Sequence, residues 1–154
     1  MRDECSIQYN RAVRKSIDLL RDADEKKLKI LARDLSRKRC AWFSENYQSF
    51  SGRKGDALDT GYQLFLKKLG IIRDQAPIVS RDSRRIVLHS KNFCPTLEAC
   101  KILGLDTRLV CRHLTEKPTT DMLRKVNPKL RFTRNYTKLR PYTSYCEEMI
   151  LLEE

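Results

Sequence analysis

A chain of 154 residues with 32 Lys and Arg against 20 Asp and Glu carries a net charge of +12, and at 40% hydrophobic it can build one core beneath a heavily charged surface. No apolar run approaches the ~20 residues of a membrane span, and no apolar segment follows Met1-Arg2-Asp3-Glu4 as a secretion signal requires. A cytoplasmic protein with no membrane attachment is therefore expected. The charge favours anionic partners: nucleic acid, acidic proteins or a carboxylate substrate.

In chain order, residues 10–50 read as two helices. Val13, Ile17 and Leu20 recur at three- and four-residue spacing with charges between them. Asp22-Ala23-Asp24-Glu25 resembles a capping box, and Leu28, Leu31 and Leu35 then form a stripe that Cys40, Trp42, Phe43 and Tyr47 extend. Such a stripe packs against the rest of the domain or against a second copy, so a homodimer through these helices is one expectation. Ser51-Gly52-Arg53-Lys54-Gly55 is a basic loop without the pattern of a phosphate loop. Asp56 caps a third helix with Leu58, Tyr62, Phe65 and Leu69 on one face, and Gly70 stops it.

After Ile71 short apolar pieces replace helical periods. Pro77-Ile78-Val79, the turn Arg81-Asp82-Ser83 and the run Arg84 to His89 suggest a hairpin. Pro95 suits the first position of a helix over 95–103, and Gly104 its end. Leu105-Asp106-Thr107 is another capping signal, but the periodicity of Leu109 to Leu114 fits a helix or a strand. Pro118 to Asp121 opens a short helix through Val126, ended by Asn127-Pro128. Leu130 to Tyr136 alternates like a strand, and Leu139-Arg140-Pro141 turns the chain. In a last strand, Ser144 to Leu152, Cys146, Glu148, Ile150 and Leu152 share one face and Tyr145, Glu147, Met149 and Leu151 the other. The expected class is α+β: a helical segment over 1–70, then a cysteine-containing core over 71–154 with a small antiparallel sheet and short helices, the two forming one compact domain.

Six cysteines, Cys5, Cys40, Cys94, Cys100, Cys111 and Cys146, include no CxxC pair. Without a secretion signal they point to free thiols, a metal site or a nucleophile. Cys94 is the best placed, because the N-cap position sets its sulfur among free backbone N–H groups at the positive end of a helix dipole. A thiolate is stabilised there, and its pKa is expected below the usual value of about 8.5. Two chemistries compete. Cys94 can be a nucleophile with His113 or His89 as base and Asn92 or Glu147 orienting or polarising, which needs no cofactor. Alternatively Cys94, Cys111, His113 and Cys146 form a tetrahedral zinc or iron site. Against both, Cys100, Cys111 and Cys146 are each plausible as small buried hydrophobes.

Arg131, Arg134 and Arg140, with Lys125, Lys129 and Lys138, are interleaved with Phe132, Tyr136 and Tyr142. That mixture suits single-stranded nucleic acid, although no RNP motif is present. One or two of the arginines clamping a substrate carboxylate explains it equally well, and so does a solvated strand face.

Asn92-Phe93-Cys94-Pro95, Glu98-Ala99, Gly104, Cys111, Asn127-Pro128 and Cys146, with the upstream helix Gly61 to Leu66, resemble the L-2-amino-thiazoline-4-carboxylic acid hydrolase-like family over roughly residues 56–152. The resemblance implies a small α+β domain in which a cysteine serves in ring-opening hydrolysis of a C–N or C–S bond. It assigns Cys94 as the reactive residue, with Cys111 and Cys146 as companions. The expected function is thus cysteine-dependent hydrolysis of a small anionic substrate, with Arg131, Arg134 or Arg140 holding its carboxylate and His113 moving protons. A non-enzymatic metal- or ligand-binding sensor and a basic nucleic-acid-binding module are the alternatives.

Overall fold

The computed structural model describes residues 4–51 and 55–154, with side chains from Tyr9 onward. The side chain of Cys5 and the loop residues Gly52, Arg53 and Lys54 lie outside the described residues. The fold is α+β. Three helices come first: α1 (Glu4–Leu20), α2 (Glu25–Asn46) and α3 (Ala57–Leu69). A hairpin of β1 (Ile78–Arg81) and β2 (Arg85–Ser90) follows, then the short helices α4 (Pro95–Leu103), α5 (Thr107–Leu114) and α6 (Glu116–Leu123), and finally β3 (Leu130–Arg134) and β4 (Cys146–Leu152).

Local chemistry explains most of these boundaries. Asp24 accepts the Lys27 N–H at 2.8 Å and so caps α2. Asp56 does the same for α3 through the Leu58 N–H at 2.9 Å, and Gly70, at φ +65°, adopts the left-handed turn that ends it. The undecided run Leu109 to Leu114 is helical because Asp106 accepts the Arg108 N–H at 2.8 Å and sets a helical first turn. The next helix starts at Glu116, ahead of the expected Pro118, which puts the proline in its first turn.

The four strands form one antiparallel sheet in the order β1-β2-β4-β3. Register pairs Leu88 with Glu148, Ile86 with Ile150, and Phe132 with Ile150. Strand alternation therefore sends Ile86, Leu88, Ser90, Leu130, Phe132, Arg134, Cys146, Glu148 and Ile150 to one face, which α3 and α6 cover. That core joins Tyr62, Leu58 and Phe65 of α3 to Met122 and Leu123 of α6. Gly61 lets α3 approach the sheet: a Cβ there would lie 3.2 Å from Leu130 Cδ1.

A second core holds Leu20 of α1, Leu28 of α2, Ala99 and Cys100 of α4, and Val110 of α5. Each fully buried leucine of this kind contributes roughly 1.5–3 kcal/mol. The leucine stripe of α2 faces the rest of the chain, with Leu28 fully buried and Leu31 and Leu35 half-buried. Among the described residues no helix is long and apolar enough to cross a membrane.

Candidate functional site

The α2 helix, the end of α3, the start of α4, the α5–α6 junction, the inner face of the sheet and the 139–140 loop converge on a cavity of about 220 Å³. Cys94, Cys111 and Cys146 all line it, together with Asn92, Arg134, Arg140 and Glu148. Two residues that sequence reasoning did not single out, Arg39 and Lys68, complete its charged wall.

Cys94 occupies the N-cap of α4, as its sequence position predicts, and its Sγ accepts the Leu97 N–H at 3.5 Å. Its titration runs opposite to the expectation. Burial raises the thiol above its ordinary pKa, outweighing the Leu97 N–H and the guanidiniums of Arg140 and Arg134, which pull the other way. Cys111 is pushed up to about 12 by the same burial. Cys100 also reaches about 12 but belongs to the second core, where it is a small hydrophobe. Cys146 Sγ accepts from Arg140 Nε at 3.3 Å, and Arg140 Nη1 donates to the Asn92 carbonyl at 2.7 Å. Arg140 thus ties the strand carrying Cys146 to the turn preceding Cys94.

Arg134 and Glu148 form a desolvated ion pair at 2.9 Å. Arg134 Nη1 donates to Thr115 Oγ1 at 2.9 Å, and Ser90 Oγ donates to Glu148 Oε1. Burial opposes the Arg134 charge, yet Glu148 and the nearby Cys111 hold that guanidinium above its ordinary pKa. From α2, Arg39 Nη1 donates to Thr119 Oγ1 at 2.5 Å. Lys68 Nζ lies 5.1 Å above the Trp42 ring. Among the described residues neither Arg39 nor Lys68 has a carboxylate within ion-pair distance.

Several expected site residues lie elsewhere. His113 is two residues beyond Cys111 on α5, roughly 200° around the helix, and its Nε2 faces Glu25 Oε1 at 4.0 Å. It does not line the cavity that holds Cys94, Cys111 and Cys146. Among the described residues no group of three or more His, Cys, Asp and Glu side chains is arranged to hold a metal ion.

Glu147 and His89 face the outer side of the sheet, because strand alternation turns them away from Cys146 and Glu148. There Glu147 accepts from Asn135 Nδ2 at 2.8 Å and pairs with His89 Nε2 at 3.1 Å, while the His89 ring stacks on Tyr145 at 4.0 Å. Asn92 does border the cavity, but its side-chain amide donates to the Phe93 carbonyl at 3.1 Å. Arg131 points outward and pairs with Glu153 at 2.9 Å.

The basic and aromatic run is not one face either. Phe132 is fully buried against Phe65, their ring centroids 5.5 Å apart. Tyr136 donates to Glu116 beneath Arg112. A base could not stack on Phe132 without unpacking the fold, and one face of Tyr136 already carries Arg112.

No protein-family model, curated protein or solved structure matches this chain.

Proposed function

We propose that the protein binds a small carboxylate-bearing molecule in this cavity and presents Cys94 to it. The charge balance of the wall carries the reading: Arg39, Lys68, Arg134 and Arg140 face a single carboxylate, Glu148, which Arg134 already engages. A buried cation without a counter-ion, such as Arg39, is costly, and a ligand anion supplies what the wall lacks. The cavity, about 220 Å³, is below the roughly 300–1,000 Å³ of drug-sized sites, so the ligand is a compact metabolite rather than a polymer segment. The test is thermal unfolding of the full chain with small mono- and dicarboxylates and with their uncharged amides. A carboxylate at about 100 times its Kd stabilises by about 2.7 kcal/mol, and its amide does not. Stabilisation no greater than that from sodium chloride at matched ionic strength would sink the reading.

A second reading, cysteine-dependent hydrolysis, is favoured by the location of Cys94 in the same wall, where its Sγ accepts the Leu97 N–H at the start of α4. Here the Cys94 sulfur attacks the ring carbon of a bound cyclic carboxylate, the ring C–N or C–S bond breaks, and the thiol proton passes to the departing nitrogen or sulfur. Water then adds at that carbon and displaces the Cys94 sulfur, which takes back a proton from the water. Incubation with 2-aminothiazoline-4-carboxylate separates the readings. Turnover that disappears in Cys94→Ser, with binding retained, supports hydrolysis; binding without turnover by the wild type leaves a ligand-binding domain.

A further inference from the structure

We propose that Arg39 of α2, with Lys68 of α3 beside it, is the seat of the ligand's oxyanion, so that the N-terminal helices complete the site. This placement rests on the cavity being an anion site and fixes where in it the anion sits.

The packing of α2 on α6 delivers Arg39. Ser36 Oγ donates to Asp121 Oδ2 at 2.5 Å, and one turn later Arg39 Nη1 donates to Thr119 Oγ1 at 2.5 Å. These two bonds anchor successive turns of α2 and fix the guanidinium in the wall. Thr119 Oγ1 in turn donates to the Thr115 carbonyl at 2.8 Å, so its oxygen is free to accept from Arg39 but brings no negative charge. Arg39 Nε is closed off from solvent and is the one buried side-chain nitrogen or oxygen without a hydrogen-bond partner among the described residues. Leaving such a donor unsatisfied is costly, and a guanidinium edge is shaped for two parallel bonds to an oxyanion.

The electrostatics of the pair agree with the geometry. Burial and the nearby Arg134 lower Arg39 to about 10, so it stays charged at neutral pH while lacking a counter-ion. Burial and Arg39 likewise lower the pKa of Lys68. The two cations repel each other across the wall, and an oxyanion between them removes that repulsion. Both carboxylate and phosphate groups have the required chemistry. Arg39 lies outside residues 56–152, where the chain resembles the hydrolase-like family, so the helical segment adds a determinant of its own.

The experiment is a titration of the ¹⁵N-labelled full chain with succinate, with inorganic phosphate and with sodium chloride at matched ionic strength, following the arginine Nε–H signals. The Arg39 signal is assigned by side-chain correlation and confirmed by its loss in Arg39→Lys. The expected result is a saturable shift of the Arg39 Nε–H with succinate or phosphate but not with chloride. Affinity should weaken at least ten-fold in Arg39→Lys. Succinate acting alone marks the oxyanion as a carboxylate, and phosphate acting alone as a phosphate. A saturable shift confined to Arg140 or Arg134 would overturn the Arg39 seat and leave the anion cavity standing. Shifts no larger than those with chloride at every cavity arginine would overturn both. The assignment on wild-type protein keeps the test decisive even if Arg39→Lys folds poorly.

Discussion

Arg134 on β3 donates through Nε to Glu148 Oε2 on β4 at 2.9 Å, with the two side chains only 11% and 6% exposed. The pair sits at the cavity end of the sheet's covered face, where Ser90 donates to Glu148 and Arg134 donates to Thr115. Removing one partner strands a buried charge, at about 3–5 kcal/mol. Arg134→Met and Glu148→Leu are each expected to lose that much in urea unfolding. The double variant should recover most of it, because an apolar pair strands nothing. Losses that simply add would show that the two charges are not coupled.

Alkaline pH should destabilise the fold through its thiols. Cys100 and Cys111 titrate at about 12 in the folded protein, and Cys94 is also raised, each chiefly by burial. The unfolded chain releases these protons near 8.5. Above that pH it binds fewer protons than the folded state, so the thiols' contribution is complete below about 8.5 and is lost as pH rises toward the folded values. Unfolding free energy should fall between pH ~8.5 and ~12, and Cys111→Ala should flatten the decline. The same slope in Cys111→Ala and wild type would remove that thiol from the account.

Gly61 sets the distance between α3 and the sheet. A Cβ would meet Leu130 Cδ1 at 3.2 Å, Leu123 Cδ2 at 3.7 Å and Ile150 Cγ2 at 3.8 Å. These side-chain ends can yield to one methyl but not to a branched group. Gly61→Ala is expected to stay within about 1 kcal/mol of wild type, the helix-propensity gain offsetting the crowding. Gly61→Val should cost about 1–3 kcal/mol by overpacking. Both are read from chemical denaturation, and a neutral valine would mean that α3 is free to move outward.

Asp106 caps α5, and hydrogen bonds from the Arg108 side chain hold its carboxyl at about 2. Because the folded value is depressed, its contribution is present above the unfolded value of about 3.9 and is lost as pH falls toward 2. The side chain is 43% exposed, so solvent screening trims the ionic part. Asp106→Ala should cost about 1 kcal/mol at pH 7, and its gap to wild type should narrow between pH ~4 and ~2. A gap unchanged at pH 2 would assign the effect to the cap alone, without its charge.

Features carried by neighbours in the chain were legible in advance. The capping roles of Asp56, Cys94 and Asp106, the stops at Gly70 and Gly104, and the opposed faces of Cys146 and Glu147 depend only on residues a few positions away. Arg39 was not legible. It lies in the charged run Arg37-Lys38-Arg39 and reads as solvated; the available signal is that Ala32, Ser36, Arg39 and Phe43 recur at helical spacing on one side of α2. His113 misled for a related reason. Its imidazole suits a site with the thiolates of Cys94, Cys111 and Cys146, whereas the helical turn of α5 points it away from Cys111 toward Glu25.

The amino-acid sequence alone determined the α+β class, the element order apart from the run Leu109 to Leu114, and the position of Cys94 at a helix start, because propensity, capping and alternation are local properties. The tertiary structure decided which groups share the cavity and how they titrate. Packing α2 on α6 brought in Arg39, pairing β4 with both β2 and β3 set Glu148 against Arg134, and closing the walls raised the Cys94 thiol that its helix position would have lowered. Desolvation and charge pairing depend on atoms distant in the chain, and only the folded arrangement sets their distances.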